Sequence, residues 1–477
     1  MDCAGLRADI DKLKNELSVL ESDVEKIRKT ERRNKGLQNA KKLIGSNSAD
    51  LMLEKYLKDF QEQNLDILPV VTFGDRIDIR DAEGHSATVR SIAVDDDGHV
   101  LIGGDDGVFY AGSYNERGEL ELGERIDIKN ADGYPAYIRA ITALDDKRVL
   151  IGGNWGALYA GSYNDQGELE LGERIDIKDA GGDPAYINSI AATKDGHVLI
   201  GGYDGAFYAG SYNEWGELKL GGRIDIRNAY RETADVYNIA AAGDGHVLIG
   251  GILGVFYAGS YNDHGELELG ERIDIKNVYG NPAYINSIAA TKDGHVLVGG
   301  YDGVLYAGSY NEWGELKLGE RIDIRDVNGK PVTITSIVTT GDGRILIGGL
   351  RGALYVGSFN EQGELELGER IDIKDIYGNS ATIYSVATAK DGRVLVGGYG
   401  GVFYSGSYDE QGRLIMGERI DIRDVDGDPA RVESIATMKD GRVLVGGGRG
   451  VLYAGSCGIS LETLKQHLAE IIKKGEA

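Results

Sequence analysis

The sequence predicts an all-β fold: a closed eight-bladed β-propeller of 49-residue, four-stranded repeats, with short α-helical extensions at both ends. Three observations carry that prediction. The tetrapeptide Arg-Ile-Asp-Ile occurs eight times, with arginines at Arg76, Arg125, Arg174, Arg223, Arg272, Arg321, Arg370 and Arg419, each copy 49 residues after the last. A fixed period of this length without insertions marks a repeat architecture. Each unit holds four short apolar or alternating runs separated by turn signals, the content of one propeller blade. The two ends are complementary fragments of a unit: the run Leu68–Ile79 precedes the first complete unit, and the last unit stops after three runs, at Val451–Ser456.

In the first unit the runs are Thr88–Val94, His99–Gly103, Val108–Tyr114 and Glu119–Ile128. Asp-Asp-Gly around Gly98 joins the first two, where glycine tolerates the positive φ of a tight hairpin. Asn115-Glu116-Arg117-Gly118 joins the third and fourth. Proline stays in the connection after the fourth run, at Pro135, Pro184, Pro282, Pro331 and Pro429, clear of the hydrogen-bonded ladder. The N-terminal strand would complete the eighth blade and remove the open edge. The expected domains are a helical extension over 1–66, the propeller over 67–457 and a C-terminal helix over 458–477. The rival, an open β solenoid, would need separate caps on its incomplete ends.

Several recurrent residues read as architecture. Arg76 and Asp78 lie two apart on one strand face, so eight such pairs suggest an ion-pair ladder between strands or blades. The paired glycines after each Val-Leu-Ile/Val suit a close backbone approach. They do not match a phosphate loop, since no helix and no Lys-Ser/Thr follows. His99, His197, His246 and His295 share one column with arginine and read as solvated residues beside a turn, not as metal ligands.

Ser91–Gly112, SIAVDDDGHVLIGGDDGVFYAG, is similar to the NHL and two-component-regulator propeller repeats, which share I-A-x-x-x-D-G-x-V-h-h-G…G-h-h. Kelch repeats share the Gly-Gly after a strand, but their Trp and spacing are absent. The WD-repeat class is set aside as well, its Gly-His and Trp-Asp dipeptides both being read as missing. The resemblance extends over all eight units, implies the propeller fold, and brings no catalytic residue with it.

What differs between copies is concentrated. In a four-stranded meander the connections after strands four and two emerge on one end. Six columns in or beside them vary, and they hold twelve of the chain's 27 tyrosines: Tyr134, Tyr137, Tyr186, Tyr203, Tyr230, Tyr237, Tyr279, Tyr284, Tyr301, Tyr377, Tyr384 and Tyr399. Trp155 and Arg351 fall in the same columns. Tyrosine gives rigid contact area at low entropy cost and dominates antibody-like binding surfaces, so these fourteen residues are the candidate ligand-binding set. The opposite end also varies, at Arg117, Gln166, Trp215, His264 and Trp313. Repeats one and eight put Glu83, His85, Asp105, Asp106, Asp426, Asp428 and Glu433 in or beside these columns. Carboxylates of this kind are what Ca²⁺ takes, and gluconolactonase-type propellers hold a metal in this mouth. No residue match carries that over, so no cofactor and no metal ligand is expected.

Residues 3–27 form a heptad seam with Cys3, Ile10, Leu17 and Val24 at a, and Leu6, Leu13, Leu20 and Ile27 at d. That pattern leans toward a parallel dimer. A bundle with helices over Asp50–Asn64 and Leu461–Ile472 is the equal alternative. Arg28, Lys29, Arg32, Arg33, Lys35, Lys41 and Lys42 make a basic run without interleaved aromatics, which does not support nucleic-acid stacking. Acidic and basic residues balance in both extensions, so the net charge of −25 rests on the propeller. It disfavours nucleic acid or an anionic membrane as partner. Two cysteines, Cys3 and Cys457, make no disulfide framework. With no membrane-spanning run and no signal-peptide core, a cytoplasmic location is expected.

The function expected is non-enzymatic recognition of a protein or glycan by the tyrosine-rich end. The alternatives are a metal-assisted enzyme of hydrolase or lactonase type, working in the central mouth near Glu83, His85, Asp105 and Asp106, and a purely structural scaffold.

Overall fold

The computed structural model describes residues 71–457 apart from 116, 145, 214–215, 243–244, 263, 312–314 and 410. The expected helices over 1–66 and 458–477 lie outside the described residues, as do Trp215 and Trp313.

Eight antiparallel sheets follow one another along the chain. In the first, the inner strand is Val89–Val94, the second Val100–Gly104 and the third Val108–Tyr114; the outer edge is Leu120–Leu122 with Ile126–Asp127. The eighth takes Val432–Thr437, Arg442–Gly447 and Val451–Cys457 from its own repeat and its outer strand from the start of the described chain. Val71–Phe73 pairs with Val451–Cys457 in the register Val71 to Cys457, and Ile77–Asp78 continues the pairing.

The outer run expected as one strand over Glu119–Ile128 is split, and the cause is register. Gly112 pairs with Leu122, but Phe109 pairs with Ile126. Two residues of the third strand therefore face three of the outer one, a bulge that interrupts the ladder at Gly123. Only in the seventh sheet does the strand run through, as Leu414–Asp421.

All eight inner strands carry a bulge as well. Val89 pairs with Gly104 and Ser91 with Gly103, leaving Arg90 as the extra residue. The same shift falls at Arg139, Asn188, Tyr237, Asn286, Thr335, Tyr384 and Glu433. Its consequence for packing is direct. Ile138 and Ile141 are three apart, yet both face the first sheet, where a Cβ on Gly103 would stand 2.5 Å from Ile138 Cγ2 and 2.8 Å from Ile141 Cδ1. The second glycine of the pair, Gly104, lies against the Thr88 carbonyl. The paired glycines are thus close-approach residues, as the sequence indicates.

Second strands such as Val100–Gly104 are buried throughout, because neighbouring sheets cover both faces. Among the described residues the apolar core consists of eight clusters, one between each consecutive pair of sheets. Leu101, Phe109 and Ile128 pack on Ile138, Val149 and Ile151 of the second sheet. Leu444 and Leu452 of the eighth pack on Val89, Val100 and Val108 of the first. Truncating a fully buried Phe109 to alanine removes about 3–5 kcal/mol by transfer and cavity terms.

Polar staples cross the same interfaces. In every sheet the third-strand tyrosine donates its hydroxyl to a carbonyl 30 residues back, on the preceding sheet; Tyr208 to Lys178 O is 2.8 Å. The Arg/Asp pair differs from the expected ladder. Arg174 Nε bonds Asp176 Oδ1 at 2.6 Å within its own strand, and the link between sheets is Arg174 Nη1 to the Asn130 carbonyl at 2.8 Å. Strand pleat puts residues two apart side by side, so the nearest carboxylate is the local one. Arg76, beside the outer strand of the eighth sheet, makes the equivalent link to Asp424 O, 348 residues away in the connection from the seventh sheet.

The histidines are not solvated. His99 stacks on Tyr163 of the next sheet at 3.8 Å, His197 on Tyr261 at 3.8 Å, and His246 on Tyr310 and His295 on Phe359 at 4.0 Å. Arg148, Arg344 and Arg442 do the same over Tyr212, Tyr408 and Tyr114. A flat cation or imidazole over an aromatic face is what seven of the eight residues of this column share.

A candidate recognition face

The connections entering each inner strand and the turns between strands two and three are tied together at one end of the sheets. The Gly156 N–H donates to the Ala185 carbonyl at 2.6 Å, and the Asp105 N–H to the Thr88 carbonyl at 3.0 Å. Each connection is cradled by one Asp or Asn. Asn130 Oδ1 accepts from the N–H groups of Asp132 and Tyr134, both at 3.0 Å. Asp424 Oδ1 accepts from Asp426 and Asp428 at 3.0 and 2.9 Å. This Asx arrangement recurs in all eight repeats and stiffens the loop whose tip carries Tyr134, Tyr230, Tyr279 or Tyr377. Those four are the most exposed tyrosines described, at 61–78%. The sequence held the signal, since the column admits only Asp and Asn in eight copies.

The turn between strands two and three contributes a second device. Asp106, Trp155, Asp204, Leu253, Asp302, Arg351 and Arg449 all have φ between 49° and 56°. In this left-handed region a non-glycine residue costs about 1 kcal/mol or more. Only the seventh repeat uses glycine there, Gly400. Seven of eight turns thus retain a side chain at the tip where glycine would relieve the backbone.

Tyr137, Trp155, Tyr284, Tyr301 and Tyr399 are exposed beside the loop tips. Tyr186, Tyr203, Tyr237 and Tyr384 are half-buried; Tyr237 and Tyr384 are the bulge residues of their inner strands, and Tyr186 and Tyr203 pack on neighbouring rings. Trp155, Tyr186, Tyr203 and Tyr237 form one aromatic chain over the second to fourth sheets, with successive centroids 5.2, 5.5 and 5.5 Å apart. Arg139 Nη1 lies 3.3 Å from the Tyr203 hydroxyl and 3.2 Å from Asn188 Oδ1. Tyr284 and Tyr301 form a separate pair at 5.7 Å. Among the described residues, Val327, Val425 and Ile415 are the only large exposed apolar side chains outside the candidate set. Val327 and Val425 sit in the same connecting loops, and Ile415 alone lies elsewhere.

Arg351 is partly committed within the fold: its Nη1 bonds Asp326 Oδ2 at 2.8 Å, as Arg449 does with Asp424. The charged sector is likewise partly paired within the fold. Arg90 holds Asp105 through two bonds of 2.9 and 3.0 Å, and Arg431 lies 3.0 Å from Glu433. Asp81, Glu83 and His85 bring one ligand atom each within 4.8 Å, but Asp81 Oδ1 already accepts from the Glu83 and His85 N–H groups. Of the set expected in the mouth, Asp105 is engaged by Arg90, while Asp106 lies near Glu83 and His85. Asp106 is held above the usual carboxylate range by burial and by Asp105, Asp81 and Glu83.

The family model described as "WD domain, G-beta repeat" matches residues 78–110, within one repeat. This counters the exclusion of the WD class from its dipeptides: Gly98-His99 is present in the matched segment, although no Trp-Asp follows. Solved structures with the same fold include Sqt1 from Chaetomium thermophilum, with a TM-score of 0.58, 14% identity, and coverage of 80% of this chain and 100% of that one. The C-terminal WD40 domain of Sif2 gives 0.55 at 13% identity, covering 82% and 99%, and the Dos1 propeller gives 0.55 at 10%, covering 81% and 95%. No curated protein sequence matches the chain. The similarity to the NHL and two-component-regulator repeats has no counterpart in these matches. At the level the matches and sheets share, the chain is an eight-bladed β-propeller of tandem four-stranded repeats.

Proposed function

We propose that this protein is a non-enzymatic recognition module, an adaptor that holds a protein partner on the tyrosine-rich end of a closed propeller. One observation carries the reading. Among the described residues, the large exposed apolar side chains gather on that end with the single exception of Ile415. Contiguous exposed aromatic surface on a rigid scaffold is the mark of an interaction site. The Asx cradles and the left-handed turn residues hold those side chains in place before a partner arrives, which lowers the ordering cost of binding. Ring closure, on which the rigidity rests, is supported by the pairing of Val71–Phe73 with Val451–Cys457 and by the apolar cluster between eighth and first sheets. Sqt1, Sif2 and Dos1 share the fold and support the architecture alone.

The test is a paired capture with wild type and a variant in which Tyr186, Tyr203, Tyr237 and Tyr284 are alanine, after both are shown to be folded. The baits are offered source-cell lysate and a glycan panel. A protein retained by wild type and lost by the variant supports the reading. Equal capture by both moves binding away from this end.

A further inference from the structure

The chemistry of the partner follows from how charge is distributed around the face. This inference rests on the recognition reading above and goes on to specify the ligand. In the variable columns of sheets three to five the charged residues are Asp183, Asp204, Glu232, Asp235 and Asp302, with no lysine or arginine among them; Arg231 lies between two of the columns. Four of the basic residues of those columns, all in other repeats, neutralise carboxylates: Arg90 on Asp105, Arg351 on Asp326, Arg449 on Asp424 and Arg431 on Glu433. Arg139 of the second sheet instead reaches the Tyr203 hydroxyl and Asn188 Oδ1. Among the described residues, neither Asp204 nor Asp235 takes part in an ion pair. The two are adjacent, since Asp235 Oδ1 accepts the Asp204 N–H at 2.8 Å. Burial and the Asp204 charge hold the Asp235 carboxyl above its ordinary range.

These carboxylates border the aromatic chain. Tyr203 precedes Asp204, and Tyr237 lies two residues beyond Asp235, with its hydroxyl 3.4 Å from that of Tyr203. The Tyr203 ring already receives a guanidinium from within the fold: Arg139 Cζ lies 5.8 Å from its centroid. Aromatic faces beside uncompensated carboxylates attract ammonium and guanidinium groups and offer little to an anion. The propeller's net negative charge would steer a cationic partner toward the same surface.

We infer that the sector of Trp155, Tyr186, Tyr203, Asp204, Asp235 and Tyr237 binds a lysine- or arginine-bearing segment of a partner protein. The cationic heads meet the two carboxylates, and their methylene stems lie on the rings.

The experiment measures fluorescence anisotropy of three labelled dodecapeptides alternating glycine with arginine, glutamine or glutamate, against the whole chain. The arginine peptide is expected to bind at least ten-fold more tightly than the glutamine peptide, and the glutamate peptide not to bind. Asp204→Asn with Asp235→Asn should weaken the arginine peptide about ten-fold. Asp132→Asn with Asp426→Asn, the same charge change elsewhere on this end, should weaken it less than three-fold. Tyr203→Leu should cost several-fold while Tyr203→Phe is tolerated, which separates ring electrostatics from contact area. Equal binding of the arginine and glutamine peptides would overturn the inference, and so would equal losses in the two double variants or binding confined to a neutral glycan. If the four-tyrosine variant loses a captured protein while the arginine peptide fails to bind, the recognition reading stands and this inference falls.

Discussion

The Arg148 guanidinium carbon lies 3.7 Å from the centroid of the Tyr212 ring on the next sheet. His99 repeats the contact on Tyr163, and Arg442 of the eighth sheet repeats it on Tyr114 of the first. The Tyr212 hydroxyl is buried without a partner, and burial pushes its ionisation up to about 12. An orphaned buried hydroxyl costs about 1–3 kcal/mol, whereas the ring supplies the stack. Phe359 fills the same column under His295. Tyr212→Phe should therefore raise stability by about 1 kcal/mol in urea denaturation, and Tyr212→Ala should lower it by about 3–5 kcal/mol. A loss on Tyr212→Phe would mean that the hydroxyl has a bond after all.

At one interface the stack is missing. Cys457 stands in the aromatic column, and Arg393, which would lie over a ring, has a buried Nη1 without a hydrogen-bond partner. Burial raises the Cys457 thiol to about 11, so the residue is expected to be unreactive. Cys457→Tyr should add about 1 kcal/mol from a cation–π contact and raise the melting temperature. A lower melting temperature would show that this interface has no room for the ring.

The left-handed turn residues give the third expectation. Leu253 holds φ at 51°, a conformation glycine adopts freely. Leu253→Gly should stabilise the fold by about 1 kcal/mol. Trp155→Gly should do the same while weakening partner capture, which would separate a side chain kept for recognition from one kept for folding. If both substitutions destabilise, packing of those side chains outweighs the backbone strain.

Asp235 supplies the pH dependence. Its folded value is raised by burial, then by Asp204, so the ionised form costs stability above that value. The penalty is relieved as pH falls through it. Asp235→Asn keeps an oxygen for the Asp204 N–H and removes the charge. The variant should be more stable than wild type at pH 7, with the difference shrinking toward pH 4. A difference independent of pH would assign the effect to packing.

The fold was legible because the repeat states it eight times. The 49-residue period, the four runs and the half-units at either end lead to eight sheets and to the strand borrowed from Val71–Phe73. The inner-strand bulges were missed, although Val89 and Ile92, Ile138 and Ile141, and Ile187 and Ile190 stand three apart where strict alternation would give two. The left-handed turn column carries no compositional mark, because glycine occupies the next position instead. The histidine stacks were hidden for a different reason: His99 and Tyr163 are 64 positions apart, and only the angle between sheets brings them together. The exposed tyrosines, by contrast, were readable as a set, since residues that neither alternate with the core nor recur between copies are free to face solvent. Four of them, Tyr186, Tyr203, Tyr237 and Tyr384, are more enclosed than loop residues would be: the last two are bulge residues, and the first two pack on neighbouring rings.

The most direct measurement places a photo-crosslinking amino acid at Tyr230, Tyr279 or Tyr377 on one end, or on the other at Gln362, in the turn between the sixth sheet's third strand Ala353–Phe359 and its outer strand Leu365–Leu367, in otherwise wild-type protein exposed to source-cell lysate. The account predicts a common protein adduct from the three tyrosine positions and none from Gln362. An adduct from Gln362 with none from the tyrosines would contradict it.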